Sequence, residues 1–176
     1  MRLLIGNKNA KQENRHVARK SADGPGKSST GVADRILIDT NVLVYRYDDR
    51  FPEKQKIASN ILRDGIKAEN ALISHQSLIE FVAATTRGNP EDRLLDTADA
   101  CREAEELIAQ FPIIYPNSAI LRMALRGTLA YGLPWFDAHL WAYAEVHGIA
   151  TIVSEDFQHG RMYGTVMVQN PFLPEA

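Results

Sequence analysis

"RILIDTNVLVYRY", residues 35–47, is the stretch on which the reading of this chain turns. Ile36, Leu37 and Ile38 form an apolar run, and Asp39 stands directly behind it, followed by Thr40 and Asn41 instead of another branched aliphatic residue. A carboxylate at the end of a buried strand is costly to ionise unless a cation, a helix terminus or hydrogen bonds receive it. Partners for Asp39 must therefore come from other parts of the chain.

Working outward, strand-like and helix-like segments alternate. After "RILID", the segment "EKQKIASNILRDGIKAE" carries Ile57, Ala58, Ile61, Leu62 and Ile66 at helical spacing, "NALIS" reads as a second strand, and "HQSLIEFVAATTR" as a helix. "PEDRLLDTADACREAEELIAQ" opens on Pro90 and two acids, as a helix start does, and "FPIIYP" supplies a third strand. Two further helices follow, one capped by Asn117 and ending at Gly132, the other running from Pro134 to Gly148. "IATIVS" is a fourth strand and "GTVMVQNPF" a candidate fifth. This order predicts an α/β fold, a parallel sheet of four to five strands with helices on both faces.

At 176 residues and 45% hydrophobic content, one globular domain with a real core is expected, spanning residues 34–173. No apolar run approaches the roughly 20 residues needed to span a bilayer, so a cytoplasmic protein without a membrane association is expected. Cys101 is the single cysteine, which excludes an internal disulfide and a cysteine-based zinc site, and it reads as a buried or half-buried helix residue. Residues 1–33 are polar, basic and rich in Gly, Ser, Asn and Lys, and read as a flexible arm; a translation start at Val32 would make that arm non-native. Within it "SADGPGKSST" has Ser21 where a phosphate-binding loop needs glycine, and neither a strand before it nor a helix after it. Residues 1–35 hold eight Lys and Arg against three acids, a net of +5, so the total of −2 leaves −7 for the rest. An acidic body of this kind does not attract nucleic acid by bulk charge, so any such ligand must be drawn by a few local cations or by bound metal.

Asp39 ends the first strand and Asp156 closely follows the fourth in "TIVSEDFQHG"; in open α/β sheets, loops beyond the carboxyl ends of strands line the ligand crevice where strand order reverses. Asp137 lies in the first turn of the helix opened by "LPWFDAH", and Glu80 within the helix after the second strand. Each acid also has a plainer reading: Asp39 as a turn residue, Asp137 as a complement to the helix dipole, Glu80 on a solvated face with Ser77, Ala84 and Arg87, and Asp156 as interchangeable with Glu155.

Together, "ILIDTNVLVY", "ISHQSLIEFVAATTR", "YGLPWFDAHLWAYAEVHG" and "TIVSEDFQHG" resemble the PIN domain, and in particular the VapC-type toxins of type II toxin–antitoxin systems, over about residues 35–172. The resemblance implies a doubly wound fold, a metal-dependent endoribonuclease leaving a 5′-phosphate and a 3′-hydroxyl, a cognate antitoxin, and a homodimer. It assigns Asp39, Glu80, Asp137 and Asp156 as catalytic and metal-binding acids, with Asn41 and Ser154 as supporting polar residues. Pro134 departs from the serine often found before the third motif.

The chemistry of such a cluster can be argued from its charges alone. Two carboxylates about 4 Å apart repel by roughly 4 kcal/mol at an effective dielectric near 20, so several together must take up protons or hold cations. Oxygen ligands without Cys or a His pair favour one or two Mg²⁺ or Mn²⁺ ions over zinc. Arg87 and Arg161, cations near the acidic motifs, are candidates for contact with RNA phosphates. His139 is expected to face away from the acids, and Trp135, Phe136, Trp141 and Tyr143 to be core. Two other classes compete: a non-catalytic PIN-like module that binds RNA or protein, and an aspartyl-phosphate enzyme, although "DTN" lacks the second acid such enzymes place two positions on.

Overall fold

A computed structural model describes residues 34–174. The basic arm and its glycine-rich loop lie outside the described residues. The chain runs β1 (Ile36–Ile38), α1 (Thr40–Tyr45), α2 (Pro52–Ala68), β2 (Ala71–Ser74), α3 (His75–Thr85), α4 (Thr97–Gln110), β3 (Ile113–Ile114), α5 (Ser118–Tyr131), α6 (Trp135–His147), β4 (Thr151–Val153), β5 (Met162–Tyr163) and β6 (Val166–Gln169).

The strands form one six-stranded sheet in the order β3-β2-β1-β4-β6-β5, parallel except for the β5–β6 pair. The expected four to five parallel strands are thus corrected by one antiparallel edge strand. Met162–Tyr163 folds back on β6 through Gly164, whose φ of 61° suits the tight reversal. Two residues carry too little periodicity to be seen as a strand in sequence. β1 is central, and the chain leaves it first toward β2 and later returns to its other side as β4, so strand order reverses between β1 and β4.

Helices cover both faces, as the alternation of side chains along a strand requires. Leu37 of β1 faces a cluster with Ile120, Ala124, Leu140 and Trp141 from α5 and α6. Ile38 faces the opposite cluster, built from Val42 and Leu43 of α1, Leu62 of α2, Phe81 of α3 and Leu107 of α4. Among the described residues no helix is long and apolar enough to cross a membrane.

Three local expectations are corrected. α4 begins at Thr97, not at Pro90, because the Asp96 side chain accepts from Asp99 N at 2.7 Å and caps the helix there, while residues 89–93 form a turn. Cys101 is exposed, because the buried stripe of α4 runs through Ala100, Ala104 and Leu107 and position 101 lies about 100° away. Trp141 and Tyr143 are core, but Trp135 and Phe136, in the first turn of α6, are exposed.

α6 carries one of the candidate acids, and its seating depends on a close approach to α5. A Cβ at Gly127 would stand 2.5 Å from Trp141 Cε3 and Cζ3, and Trp141 is itself tied down by its Nε1 donating to Tyr163 O at 2.8 Å. Helix propensity alone would make alanine better than glycine there by about 1 kcal/mol. Overpacking against an immobile indole costs about 1–3 kcal/mol and should win. Gly127→Ala is therefore expected to lower the urea midpoint; an unchanged or raised midpoint would show that Trp141 yields.

Candidate active site

The crevice at the β1/β4 reversal is a cleft of about 440 Å³ whose walls include Asp39, Glu80, Asp137 and Asp156. Four segments far apart in sequence thus deliver one acid each to the same cavity. Asp39 comes from the end of β1, where it also caps α1, accepting from Thr40 N at 2.6 Å. Its own N–H donates to Val153 O at 3.1 Å, which stitches the site to the end of β4.

Asp39 is 8% exposed. Its Oδ2 accepts from Ser154 Oγ at 2.5 Å and from Asn41 Nδ2 at 3.0 Å. Asn41 Nδ2 also reaches Asp156 Oδ2 at 3.1 Å and Ser154 Oγ at 3.2 Å, while Ser154 Oγ accepts from Asp156 N at 3.1 Å. Asn41 and Ser154 thus bridge the first and fourth acids. Burial pushes the Asp39 carboxyl up to about 7; the hydrogen bonds from Ser154 and Thr40 oppose that rise, and the charges of Asp156 and Glu80 add to it.

Glu80 projects from the middle of α3 and is held by two donors, Thr40 Oγ1 to Oε2 at 3.0 Å and Gln76 Nε2 to Oε1 at 2.9 Å. The stripe drawn for α3 in sequence is not a solvated face, since Ser77 is buried and hydrogen-bonded to Ser74, and Ala84 lines the cleft with Glu80. Asp137 sits half-buried in the first turn of α6, and its side chain makes no hydrogen bond among the described residues. Its carboxyl is raised chiefly by burial, then by the charges of Asp156 and Glu80. The neighbouring acid Glu155 turns away, accepting from Tyr45 Oη and Lys54 Nζ, both at 2.5 Å, while Asp156 lines the cleft.

Two residues proposed in sequence for RNA contact stand elsewhere. Arg87 is exposed beyond the end of α3, and Arg161 is exposed with its guanidinium 4.6 Å from the Tyr163 ring centroid; neither lines the cleft. Arg50 does, and among the cleft-lining residues it is the one Lys or Arg. Its Nε and Nη2 fork onto buried Asp48 at 2.7 Å each, leaving an exposed guanidinium face at the cleft wall. The sequence signal was present as "DDR", acids two and one positions before an arginine, but such runs are common on surfaces. Thr40 and Gln76, which position Glu80, carried no motif signal. His139 lies against Trp135 and Tyr143 outside the cleft, and burial pushes its imidazole down.

The donor set fits a hard cation. It is all oxygen, and among the described residues no Lys or Arg forms an ion pair with any of the four acids. The buried Asn41 Oδ1 lacks a hydrogen-bond partner, an acceptor that a water of a hydrated ion would satisfy. Among the described residues no three His, Cys, Asp or Glu side chains are drawn into a closed coordination cluster.

Comparison with known proteins gives this arrangement its family. Three solved structures share the fold, each aligned over 78% of this chain and 98% of its own: a toxin–antitoxin complex from Klebsiella pneumoniae (18% identity, TM-score 0.55), FitAcB from Neisseria gonorrhoeae (18%, 0.56) and DNA-bound VapBC from Salmonella typhimurium (10%, 0.56). At these identities the likeness is one of fold. No curated protein matches the sequence. The family model for the PIN domain matches residues 36–164, most of the chain and all four acids. The chain belongs to the PIN domain family.

Proposed function

We propose that this chain is a Mg²⁺- or Mn²⁺-dependent endoribonuclease and the toxin of a toxin–antitoxin pair, acting as a homodimer under the control of an antitoxin protein. The observation that carries the catalytic reading is the convergence of Asp39, Glu80, Asp137 and Asp156 on one cleft, where among the described residues none of them forms an ion pair with a Lys or Arg. The toxin reading draws on the shared fold with toxin–antitoxin complexes, and the choice of RNA on the resemblance of the four motifs to VapC-type toxins.

One or two divalent ions held by these acids would supply an acidified water and neutralise charge on a phosphodiester. The chain's own residues do the rest. Ser154 and Asn41 hold Asp39 Oδ2 by hydrogen bonds, and Asn41 bridges Asp39 and Asp156. Thr40 and Gln76 hold both oxygens of Glu80. Asp137, whose side chain makes no hydrogen bond among the described residues and lines the cleft, would bind or orient a water there. Arg50 offers the guanidinium that receives a phosphate on the incoming strand. No side chain of the protein needs to act as a covalent nucleophile.

Asp39→Asn and Asp137→Asn should each abolish cleavage of total RNA in Mn²⁺ while the circular dichroism spectrum is unchanged, and EDTA should do the same to the wild type. Full activity in either variant or without metal would sink the reading, and mapping of the ends should find 5′-phosphates. Ser154→Ala, which loosens Asp39 without removing a ligand, is expected to weaken Mn²⁺ affinity about 10- to 100-fold by calorimetry.

The burial of Asp39 also sets a pH dependence. Its folded value, about 7, lies above the ordinary 3.8, so the folded protein holds that proton more tightly than the unfolded chain. The resulting stabilisation is complete below about pH 4 and is lost as pH rises through about 7, amounting to a few kcal/mol in order of magnitude. Metal-free wild type should lose melting temperature over that range relative to Asp39→Asn, and Mn²⁺ should restore it at pH 8. Parallel pH curves for the two proteins would show that Asp39 is not ionising against its surroundings.

A further inference from the structure

Against the wall of the acidic cleft, three polar side chains close on one another in a knot that the catalytic reading leaves unused. Tyr45 Oη donates to Glu155 Oε1 at 2.5 Å, Lys54 Nζ donates to Glu155 Oε2 at 2.5 Å, and the same ammonium donates to Tyr45 Oη at 2.8 Å. The three come from the end of α1, the first turn of α2 and the loop after β4. Tyr45 lines the cleft, whereas Lys54 and Glu155 do not. The Lys54 side chain is 31% exposed and that of Glu155 21%.

Helix stability does not account for Lys54, since a cation in the first turn of a helix opposes the dipole. An exposed ion pair would also contribute little, because water screens it and both side chains lose rotamer freedom. This pair is partly withdrawn from water, and with Tyr45 it occupies both carboxylate oxygens of Glu155. The knot thus fixes the direction of one carboxylate, and that carboxylate is the residue next to Asp156. Released, Glu155 would be a fifth acid at the cleft, longer by one methylene than its neighbour. The number of charged ligands tunes how tightly a site holds a divalent cation. Four carboxylates already match the charge of two such ions, so a fifth would leave the loaded site more negative and repel the phosphate it has to receive.

We propose that Lys54 is a positioning residue for this site, acting through Glu155: it withholds a fifth carboxylate from the cleft and so keeps affinity for metal in balance with affinity for a phosphodiester. This role rests on the nuclease reading for its metal and its substrate; Lys54 itself touches neither.

Calorimetric titration of the RNA-free protein with Mn²⁺ reads this balance without catalysis. Lys54→Met should bind Mn²⁺ about tenfold more tightly than the wild type, because the released Glu155 joins the ligands. Adding Glu155→Gln should return the affinity to the wild-type value, and Lys54→Arg, which keeps a cation for Glu155, should match the wild type. Loss of a positive charge alone would also favour Mn²⁺, but that effect is screened in about 1 M KCl, where the Debye length is about 3 Å, whereas a direct ligand is not. The gain should therefore persist in that salt. In cleavage assays Lys54→Met should raise KM for RNA about tenfold, and the double variant should recover. Should Lys54→Met fail to fold by circular dichroism, Tyr45→Phe, which removes one of the two donors to Glu155, should show a smaller gain in Mn²⁺ affinity that Glu155→Gln again abolishes. Unchanged or weaker Mn²⁺ binding in the folded variants, a gain lost in high salt, or a gain that Glu155→Gln does not reverse overturns the role of Lys54. These shifts in Mn²⁺ affinity in a protein whose wild type cuts no RNA would leave the anchoring of Glu155 standing and remove the nuclease reading, so the two fail separately.

Discussion

Asp39 is the point at which fold and chemistry constrain each other. Its backbone continues β1, its side chain caps α1, and its N–H and carboxylate both bond to the end of β4. The strand reversal between β1 and β4 makes that junction unavoidable: wherever these strands lie side by side, the loops that follow them open into one crevice. A neutral residue at position 39 would satisfy the cap. A carboxylate there, buried and driven up to about 7, is held in an environment that disfavours its charge. The surrounding donors reduce that penalty without cancelling it, which leaves a site whose electrostatics favour a cation.

The supporting polar residues follow from the same constraint. Three acids brought near Asp39 would repel one another and open the cleft unless something fixed their spacing. Asn41 and Ser154 do this with dipoles on the β1/β4 side, and Thr40 and Gln76 on the α3 side. Neutral donors hold carboxylates in place while leaving their negative charge uncancelled. Lysines or arginines in those positions would have cancelled that charge. Among the cleft-lining residues the one Lys or Arg, Arg50, pairs with Asp48 and not with any of the four acids.

Much of this was legible in the residues. Strand ends and helix starts are marked by strong local signals, so Asp39 behind an apolar run, Asp137 in a first turn and Asp156 beyond "TIV" could be placed on the correct elements. What escaped was set by short elements or by tertiary contact. The six residues of α1 are too few to show a helical period, so the plainer alternative for Asp39 was a polar turn, and its part in capping α1 was not visible. β5 is two residues long, and the true start of α4 depends on one capping bond at Asp96 that outcompeted the Pro90 signal. For Phe136 and Trp135 the apolar character was plain but the direction was not, because a helix with apolar residues nearly all round does not say which of them meets solvent.

The choice between Glu155 and Asp156 shows why local sequence alone could not close the site. Both follow β4, and both are acids of ordinary flexibility. Lys54, on α2, decides between them: its ammonium bonds Glu155 and Tyr45 Oη, and lies 4.4 Å from the Tyr45 ring centroid and 5.3 Å from that of Phe172. A half-buried ammonium against aromatic faces is an anchor for the longer of the two carboxylates. With Glu155 drawn outward to that anchor, the backbone N–H of Asp156 turns onto Ser154 Oγ, and its side chain meets Asn41 in the cleft. A pair formed 101 residues apart in sequence therefore selects which of two adjacent acids joins the site, and it does so from outside the cleft, without bringing a positive charge among the four carboxylates.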